Sequence, residues 1–374
     1  MDWGQAISGM TTHKSADYDR FAAQVEWEFD TTDHPLVLSM KANSLDNPNW
    51  HQAMNGPESD GYWEAMTLEM DTLNAKTAWC VLDREPHMKV LPSTWAFKCK
   101  RFPDGLVRKL KARFCVRGDC QIDGVDVFDT FAPVVSWTTV RLMLILSVVL
   151  GLATTQVDYT AAFVQAELPD SEEVYVEMPR GFKESGKVLR LKRALYGLKQ
   201  SPKTWFEYLR TKLVDECGFE QSPNDPCLFY TGTVICVVYV DDCLFFSPTE
   251  QGIDDIFVKM RRSELDFNKE SDVAGFLGVL LTTREDGSIE LTQTGLIDRI
   301  ISAMGLDAAN IVMTPAEYGG LPKDLQGAEA QATWNYRSVL GMMLYLCNTR
   351  PEIQFSVSQC ARFTAHPKQS HEVA

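Results

Sequence analysis

The sequence has no stretch that reads as a secretory signal, since its opening MDWGQAISGMTTHKSADYDR lacks both a basic start and an apolar core. It also has no apolar run long enough to span a bilayer. The longest, Leu142 to Ala153, suits a buried helix, so no membrane partner is expected. Its 10 cysteines and 6 histidines form no C-x-x-C pair and no His–Cys cluster. That excludes the usual zinc spacings and leaves reduced cytoplasmic thiols as the expectation. Internal repeats and low-complexity segments are missing. Basic residues are in the minority, 36 Lys and Arg against 51 Asp and Glu, for a formal net charge of −15. Taken alone, that balance speaks against a nucleic-acid partner. A strict alternation of strand and helix is lacking as well, which points to an α+β class.

What is present is an ordinary globular composition over 374 residues, 45% hydrophobic and 23% charged, enough for two or three packed units. The charge is unevenly spread. Lys98 to Arg117 holds 8 basic residues against one Asp, and Ser185 to Phe206 holds 6 with no acid. Such islands are either solvated faces or the bed of a polyanion. Residues 1–60 show little periodicity and read as an irregular acidic leader. From Tyr62, a stripe of Trp63, Met66, Met70 and Leu73 predicts a helix. Two strands are predicted around a turn at Pro103-Asp104-Gly105. TTVRLMLILSVVLGLA reads as a buried helix, and TTQVDYTAAFV as a strand ending on Asp158. SPKTWFEYLRTKLVDECGF is a helix with Pro202 near its start and Gly218 closing it. A second amphipathic helix follows from Thr249, then a hairpin turning at Asp286-Gly287 and two helices separated at Pro351.

The chemistry lies in VVYVDDCLFF, where Asp241 and Asp242 interrupt a buried strand pair. A bare Asp-Asp pair is most often a solvated turn. Here the tip of the hairpin is expected to carry both acids, with no Gly to supply positive φ. The two charges repel, which raises the cost of ionising both, and a cation would remove that cost. Few, hard oxygen ligands suit Mg²⁺. Asp158 also ends an apolar strand, and three carboxylates on neighbouring strand ends suit two-metal phosphoryl transfer.

YVDD between apolar strands, preceded by VDYTAAF, resembles the palm of reverse transcriptases. KARFCVRGDCQIDGVDVFDTFAPVVSWTTVRLML, DYTAAFVQAELPDSEEVYVEMPRGF, LKRALYGLKQSPKTWFEYL, FLGV and YRSVLGMMLYLCNTRPEIQFSVSQCARF occur in the order of Ty1/copia-type retrotransposon reverse transcriptases, from about Asn49 to His371. The resemblance implies a right-handed polymerase fold: fingers at 61–133 and 166–203, palm at 134–165 and 204–285, a thumb-like part at 286–320 and a connecting segment at 321–374. It implies Asp158, Asp241 and Asp242 as catalytic metal ligands for two Mg²⁺ ions, with Mn²⁺ as a substitute, and the Tyr159 carbonyl as a further ligand.

Phe163, five residues after Asp158, matches the aromatic gate that favours dNTP over rNTP. Lys111 and Arg113 resemble the side chains that grip the triphosphate, with Lys98 and Lys100 beside them on the nucleic acid. Gln200, with Gly197 and Lys199, resembles the segment that packs on the nascent base pair and template. Leu277 and Gly278 resemble the primer-grip hairpin. The implied partners are an RNA or DNA template with primer, and dNTPs. RNase H and integrase regions of such an element are not evident, and the expectation is a fragment or remnant acting in the cytoplasm, in virus-like particles, or in the nucleus. Two other readings compete: a non-catalytic remnant keeping the fold, and a small-molecule metal phosphotransferase that needs no template.

Overall fold

A computed structural model describes residues 46–101, 107–169, 171–270, 273, 275–310, 312, 314–316, 320–331 and 333–373. The turn expected at Pro103-Asp104-Gly105 and most of the expected leader lie outside these. In chain order the elements begin with helices α1 (Trp50–Asn55) and α2 (Ser59–Ala75), then strands β1 (Trp79–Asp83), β2 (Val90–Leu91), β3 (Ser93–Arg101) and β4 (Val107–Val116). Helix α3 (Trp137–Leu150), β5 (Ala153–Tyr159), α4 (Ala162–Gln165), β6 (Tyr175–Glu177), β7 (Lys187–Leu191) and α5 (Ser201–Thr211) follow. Next come β8 (Glu220–Gln221), β9 (Leu228–Tyr230), β10 (Ile235–Tyr239), β11 (Asp242–Ser247), α6 (Glu250–Arg262) and β12 (Phe267–Lys269). The chain closes with β13 (Gly275–Phe276), β14 (Val279–Thr283), β15 (Ile289–Thr292), α7 (Thr294–Met304), α8 (Tyr336–Leu346), α9 (Gln354–Ala361) and α10 (Gln369–Val373). The mixture of helices and largely antiparallel sheets is α+β, as expected.

Two compact units result. The first is Leu152–Glu270 with the described residues up to Ser136; the second is Trp137–Gly151 with the residues from Ser271 on. The first unit is built on a six-stranded sheet ordered β12-β5-β11-β10-β9-β8. Its middle strands are buried on both faces, which is why they read as continuous apolar runs rather than alternating ones. Helix α6 covers one face. Thr249 caps its N-terminus by accepting from the Gly252 amide, Ile253, Ile256, Phe257 and Met260 face the sheet, and Lys259, Arg261 and Arg262 complement its C-terminal dipole. The Phe257 ring meets Phe245 and Phe267 edge-on, which fixes the helix over β11 and β12.

The β3–β4 hairpin belongs to the same unit. Trp95, Phe97, Ala112 and Phe114 join the core under α2. Period two then sends Lys98, Lys100, Lys109, Lys111 and Arg113 to the opposite face. Register sets Lys98 against Lys111 and Lys100 against Lys109. Like charges directly opposite are destabilising in a sheet, so this face favours an anion.

Several expectations are corrected. Residues 50–60 are not irregular: Asn49 and Gln52 form a capping box that starts α1. Helix α2 begins at Ser59 rather than Tyr62, and its buried stripe is Tyr62, Met66, Met70 and Leu73. Trp63 is 44% exposed and stacks on Phe182. Helix α3 is apolar nearly all round but buried only along Val140, Met143, Leu144 and Ser147; Ile145 and Val149 are exposed.

The second unit holds the three-stranded sheet β13-β14-β15 and helices α7 to α9 around Ile300, Val339, Leu340 and Val357. Its β14–β15 hairpin turns at Asp286-Gly287, Gly287 taking φ +81° as expected of the Asp-Gly pair.

Candidate active site

Strand pairing brings the acids together. β5 and β11 run antiparallel with Asp158 directly opposite Asp242. The turn between β10 and β11 is Val240-Asp241, not the Asp-Asp pair, because Asp242 already pairs with Tyr239 as the first residue of β11. Val240 supplies the positive φ, +53°. The Asp241 carbonyl accepts from the Tyr159 amide at 3.2 Å, tying the turn to the end of β5.

The carboxylates are electrostatically frustrated. Burial, then the Asp241 and Asp158 charges and Glu270, push Asp242 up to about 7, against a Gln156 hydrogen bond. Crowding by protein and the Asp241 charge also raise Asp158, although it sits at an exposed strand position; Lys111, Arg113 and Lys100 pull it back. On β4, burial and the neighbouring Lys100, Arg113 and Lys109 lower Lys111, while Asp158 raises it. Acids of β5 and the β10–β11 turn thus share a field with the cations of the β3–β4 hairpin.

Hard oxygens with mutual repulsion are suitable donors for a divalent cation. Among the described residues, no group of three His, Cys, Asp or Glu side chains is placed to hold a metal by itself.

Phe163 follows Ala161, a left-handed residue with φ +48° that turns the chain from β5 into α4. Its half-buried ring meets Tyr196 edge-on, centroids 4.8 Å apart, and the Arg113 guanidinium lies 4.8 Å over the same Tyr196 ring. Tyr196 was not foreseen. Burial pushes its phenol up to about 12, against Arg113 and with Asp241, Glu69 and Asp158, so it is a neutral side chain facing the acids. Its place is set by backbone: its carbonyl accepts from the Val116 amide at 2.8 Å. Gly197, at φ +91°, lies where a Cβ would stand 2.0 Å from the Val116 carbonyl oxygen.

Glu69 was also missed. Its carboxyl accepts from the Phe114 amide at 3.3 Å, and burial raises its pKa against that bond, Arg113 and Lys111. The available signal was an acid on α2 alongside a basic hairpin.

Other expected site residues fall differently. Gln200 is 2% exposed, with its amide engaged by Gln121 and Glu172. Lys199 is partly exposed, and its ammonium is engaged by Asp123 and the Gln121 carbonyl, at 2.8 and 3.2 Å. The Tyr159 ring is buried against Trp205 and Phe267, so only its backbone is available to the acids. Lys98 and Lys100 stand exposed on the cationic face. Leu277 and Gly278 belong to the second unit, where both take positive φ in the two-residue turn between β13 and β14, and the Leu277 carbonyl accepts from the Tyr345 hydroxyl.

The family model described as reverse transcriptase (RNA-dependent DNA polymerase) matches residues 76–318, well over half the chain and the whole stretch from Lys98 to Asp242. The chain belongs to that family. Its relatives are of the Ty1/copia type. It is 28% identical to the retrovirus-related Pol polyprotein from transposon TNT 1-94 of Nicotiana tabacum, over 86% of this chain and 25% of that protein. It is 29% identical to the Pol polyprotein from transposon RE2 of Arabidopsis thaliana, over 90% of this chain and 23% of that protein. A truncated Ty1-A Gag-Pol polyprotein of Saccharomyces cerevisiae is 34% identical over 51% of this chain and 16% of its own length. The chain thus spans about a quarter of the plant polyproteins it matches. A foamy viral protease-reverse transcriptase solved in complex with ds DNA is similar at a TM-score of 0.39 and 15% identity, covering 75% of this chain and 40% of that one, too slight a likeness to add to the fold.

Proposed function

We propose that this reverse transcriptase domain makes DNA on a primed RNA or DNA template from dNTPs, by nucleotidyl transfer at Asp158, Asp241 and Asp242. The observation that carries the reading is the pairing of Asp158 with Asp242 across β5 and β11, beside Asp241 and under the cationic face of β3–β4. Asp158 and Asp241, with Asp242 behind them, are the residues that would hold a divalent cation, Mg²⁺ or Mn²⁺ in its place. Such an ion, when bound, supplies charge stabilisation of the attacking and leaving oxygens of an in-line displacement.

The remaining work falls to the chain. Lys111 and Arg113 neutralise triphosphate oxygens through charge-assisted hydrogen bonds, and Lys98 and Lys100 extend that field over the nucleic acid. The edge of Phe163, backed by Tyr196, closes the floor beneath the sugar and leaves no hydrogen-bond partner for a ribose 2′-hydroxyl. In this reading β3–β4 with α2 form the fingers, the six-stranded sheet with α5 and α6 the palm, and the second unit supplies the thumb and connecting segment. RNase H and integrase functions come from other parts of the element.

Primer extension on an RNA template with dNTPs and Mg²⁺ tests the proposal. Asp158→Asn and Asp241→Asn are each expected to abolish extension with the fold retained by circular dichroism. Extension by either variant at near wild-type rate overturns the mechanism.

A further inference from the structure

The turn that carries Asp241 is held by a side chain outside the cluster of acids and cations. Val240 has φ +53°. For a β-branched residue this region is a true outlier, because the side chain crowds the backbone. Strain of this kind persists only where the surroundings over-determine the conformation. A two-residue hairpin loop with positive φ at its first central position ordinarily takes Gly there.

The restraint is visible. The Val240 carbonyl accepts a hydrogen bond from Trp205 Nε1 at 2.6 Å, short for a bond of this kind. Trp205 is 1% exposed on the buried face of α5. Its ring meets Tyr159 edge-on at 5.1 Å and Tyr208 at 5.9 Å, so it has no freedom to follow a moving turn. Tyr159 in turn donates its amide to the Asp241 carbonyl. The two carbonyls of the loop are therefore each fixed, by two residues that touch one another.

We propose that Trp205 is a positioning residue for nucleotide addition: through the Val240 carbonyl it holds the strained turn in its left-handed form and so aims the Asp241 carboxylate. This rests on the polymerase reading above. Without the indole N–H, Val240 relaxes toward negative φ and Asp241 swings with it. A misplacement near 1 Å at a reacting centre costs about a hundredfold in rate.

The test is a cycle of four proteins: wild type, Trp205→Phe, Val240→Gly, and the double variant. Trp205→Phe keeps an aromatic ring against Tyr159 and removes the donor. Its kcat for single-nucleotide addition is expected to fall about ten- to a hundredfold, with KM for dNTP little changed. Gly adopts positive φ without strain, so Val240→Gly is expected to restore most of the lost kcat in the Trp205→Phe background. A Trp205 that only fills the core gives no rescue, and absence of rescue overturns the proposal.

Thermal unfolding of the same four proteins, without substrate, reads the clamp independently: Val240→Gly should raise Tm more in wild type, where it relieves the imposed strain, than beside Trp205→Phe, where Val240 has already relaxed, and equal shifts count against the clamp. If wild type itself adds no nucleotide, the polymerase reading fails while this cycle still decides the clamp. If wild type is active and Trp205→Phe keeps full kcat, the clamp fails and the polymerase reading stands. Should Trp205→Phe not fold, benzothienylalanine at position 205 preserves the ring shape and deletes only the N–H; full kcat with that residue likewise overturns the proposal.

Discussion

Replacing Asp242 by Asn should make the metal-free protein more stable at neutral pH and above, by an amount that vanishes in acid. The folded site raises this carboxyl to about 7 from its ordinary 3.8, first by burial and then by Asp241 and Asp158. A raised carboxyl binds a proton more tightly in the folded than in the unfolded chain. Stability is therefore full below the unfolded value, falls as pH climbs through this interval, and reaches its lowest level above the folded value. About three pH units at 1.36 kcal/mol each give roughly 4 kcal/mol gross. The carboxyl keeps partial access to water, and solvent screening cuts this to about 1–2 kcal/mol.

Urea denaturation in the presence of a chelator, from pH 4 to pH 8, measures the effect. Asp242→Asn should exceed wild type by that amount at pH 8 and match it near pH 4. Mg²⁺ should then stabilise wild type more than the variant, because binding to the folded site alone adds stability by mass action. A variant no more stable than wild type at pH 8, or an advantage that persists unchanged at pH 4, would refute the claim that the acids repel one another. Equal stabilisation of both proteins by Mg²⁺ would refute the assignment of the cation to these carboxylates.

Other expectations follow from the same geometry. Phe163→Val should raise rNTP incorporation relative to dNTP in single-nucleotide assays, with a stability loss of about 1–2 kcal/mol since the ring is only half-buried; an unchanged ratio removes Phe163 from sugar selection. Ala at both Lys111 and Arg113 should raise KM for dNTP strongly while leaving duplex affinity nearly intact, and titrations of each ligand separate the two effects. Log affinity for a primed template should fall linearly with log salt as counterions are displaced, and salt-independent binding would argue against the basic hairpin as the contact. Gly197→Ala should cost about 2–4 kcal/mol by denaturation, from left-handed strain together with the close approach to the Val116 carbonyl oxygen.

The acids were legible because charge inside an apolar run breaks a rule that few residues break without reason. Asp158 and Asp242 sit across from each other because both end such runs, and antiparallel pairing does the rest. Local geometry was not legible in the same way. Nothing in YVDD shows that Val240, rather than an aspartate, takes the left-handed turn position. In the segment GLKQ, Gly197 at φ +91° redirects the chain, so periodicity could not show that Gln200 turns inward while Tyr196 remains beside Phe163. In the α2 stripe Met66, Met70 and Leu73 were legible, and only its first member was wrong: Tyr62 is buried where Trp63 was expected. For α3, an apolar surface all round predicted full burial, yet hydrophobic composition sets only what a helix can bury, and packing partners meet one side of it.

Both halves of the site are unfavourable by themselves. On the hairpin, Lys98 faces Lys111 and Lys100 faces Lys109, a register that a sheet selected for stability alone would avoid. On the central sheet, Asp158 and Asp242 face one another with Asp241 adjoining, and their pKa values rise accordingly. The conflict between Asp158 and Lys111 is not resolved by a direct pair. Asp158 and Lys111 each perturb the other's titration, yet no ion pair joins them among the described residues. Local violations of this kind, set within a well-packed scaffold, are the mark of a ligand site. The ligand that relieves both must bring a cation to the carboxylates and an anion to the lysines in one object, and a metal-bound triphosphate is such an object. The net charge of −15 is then no obstacle, because the decisive charges are those of the hairpin cations beside the three acids and the excess acid lies elsewhere on the chain.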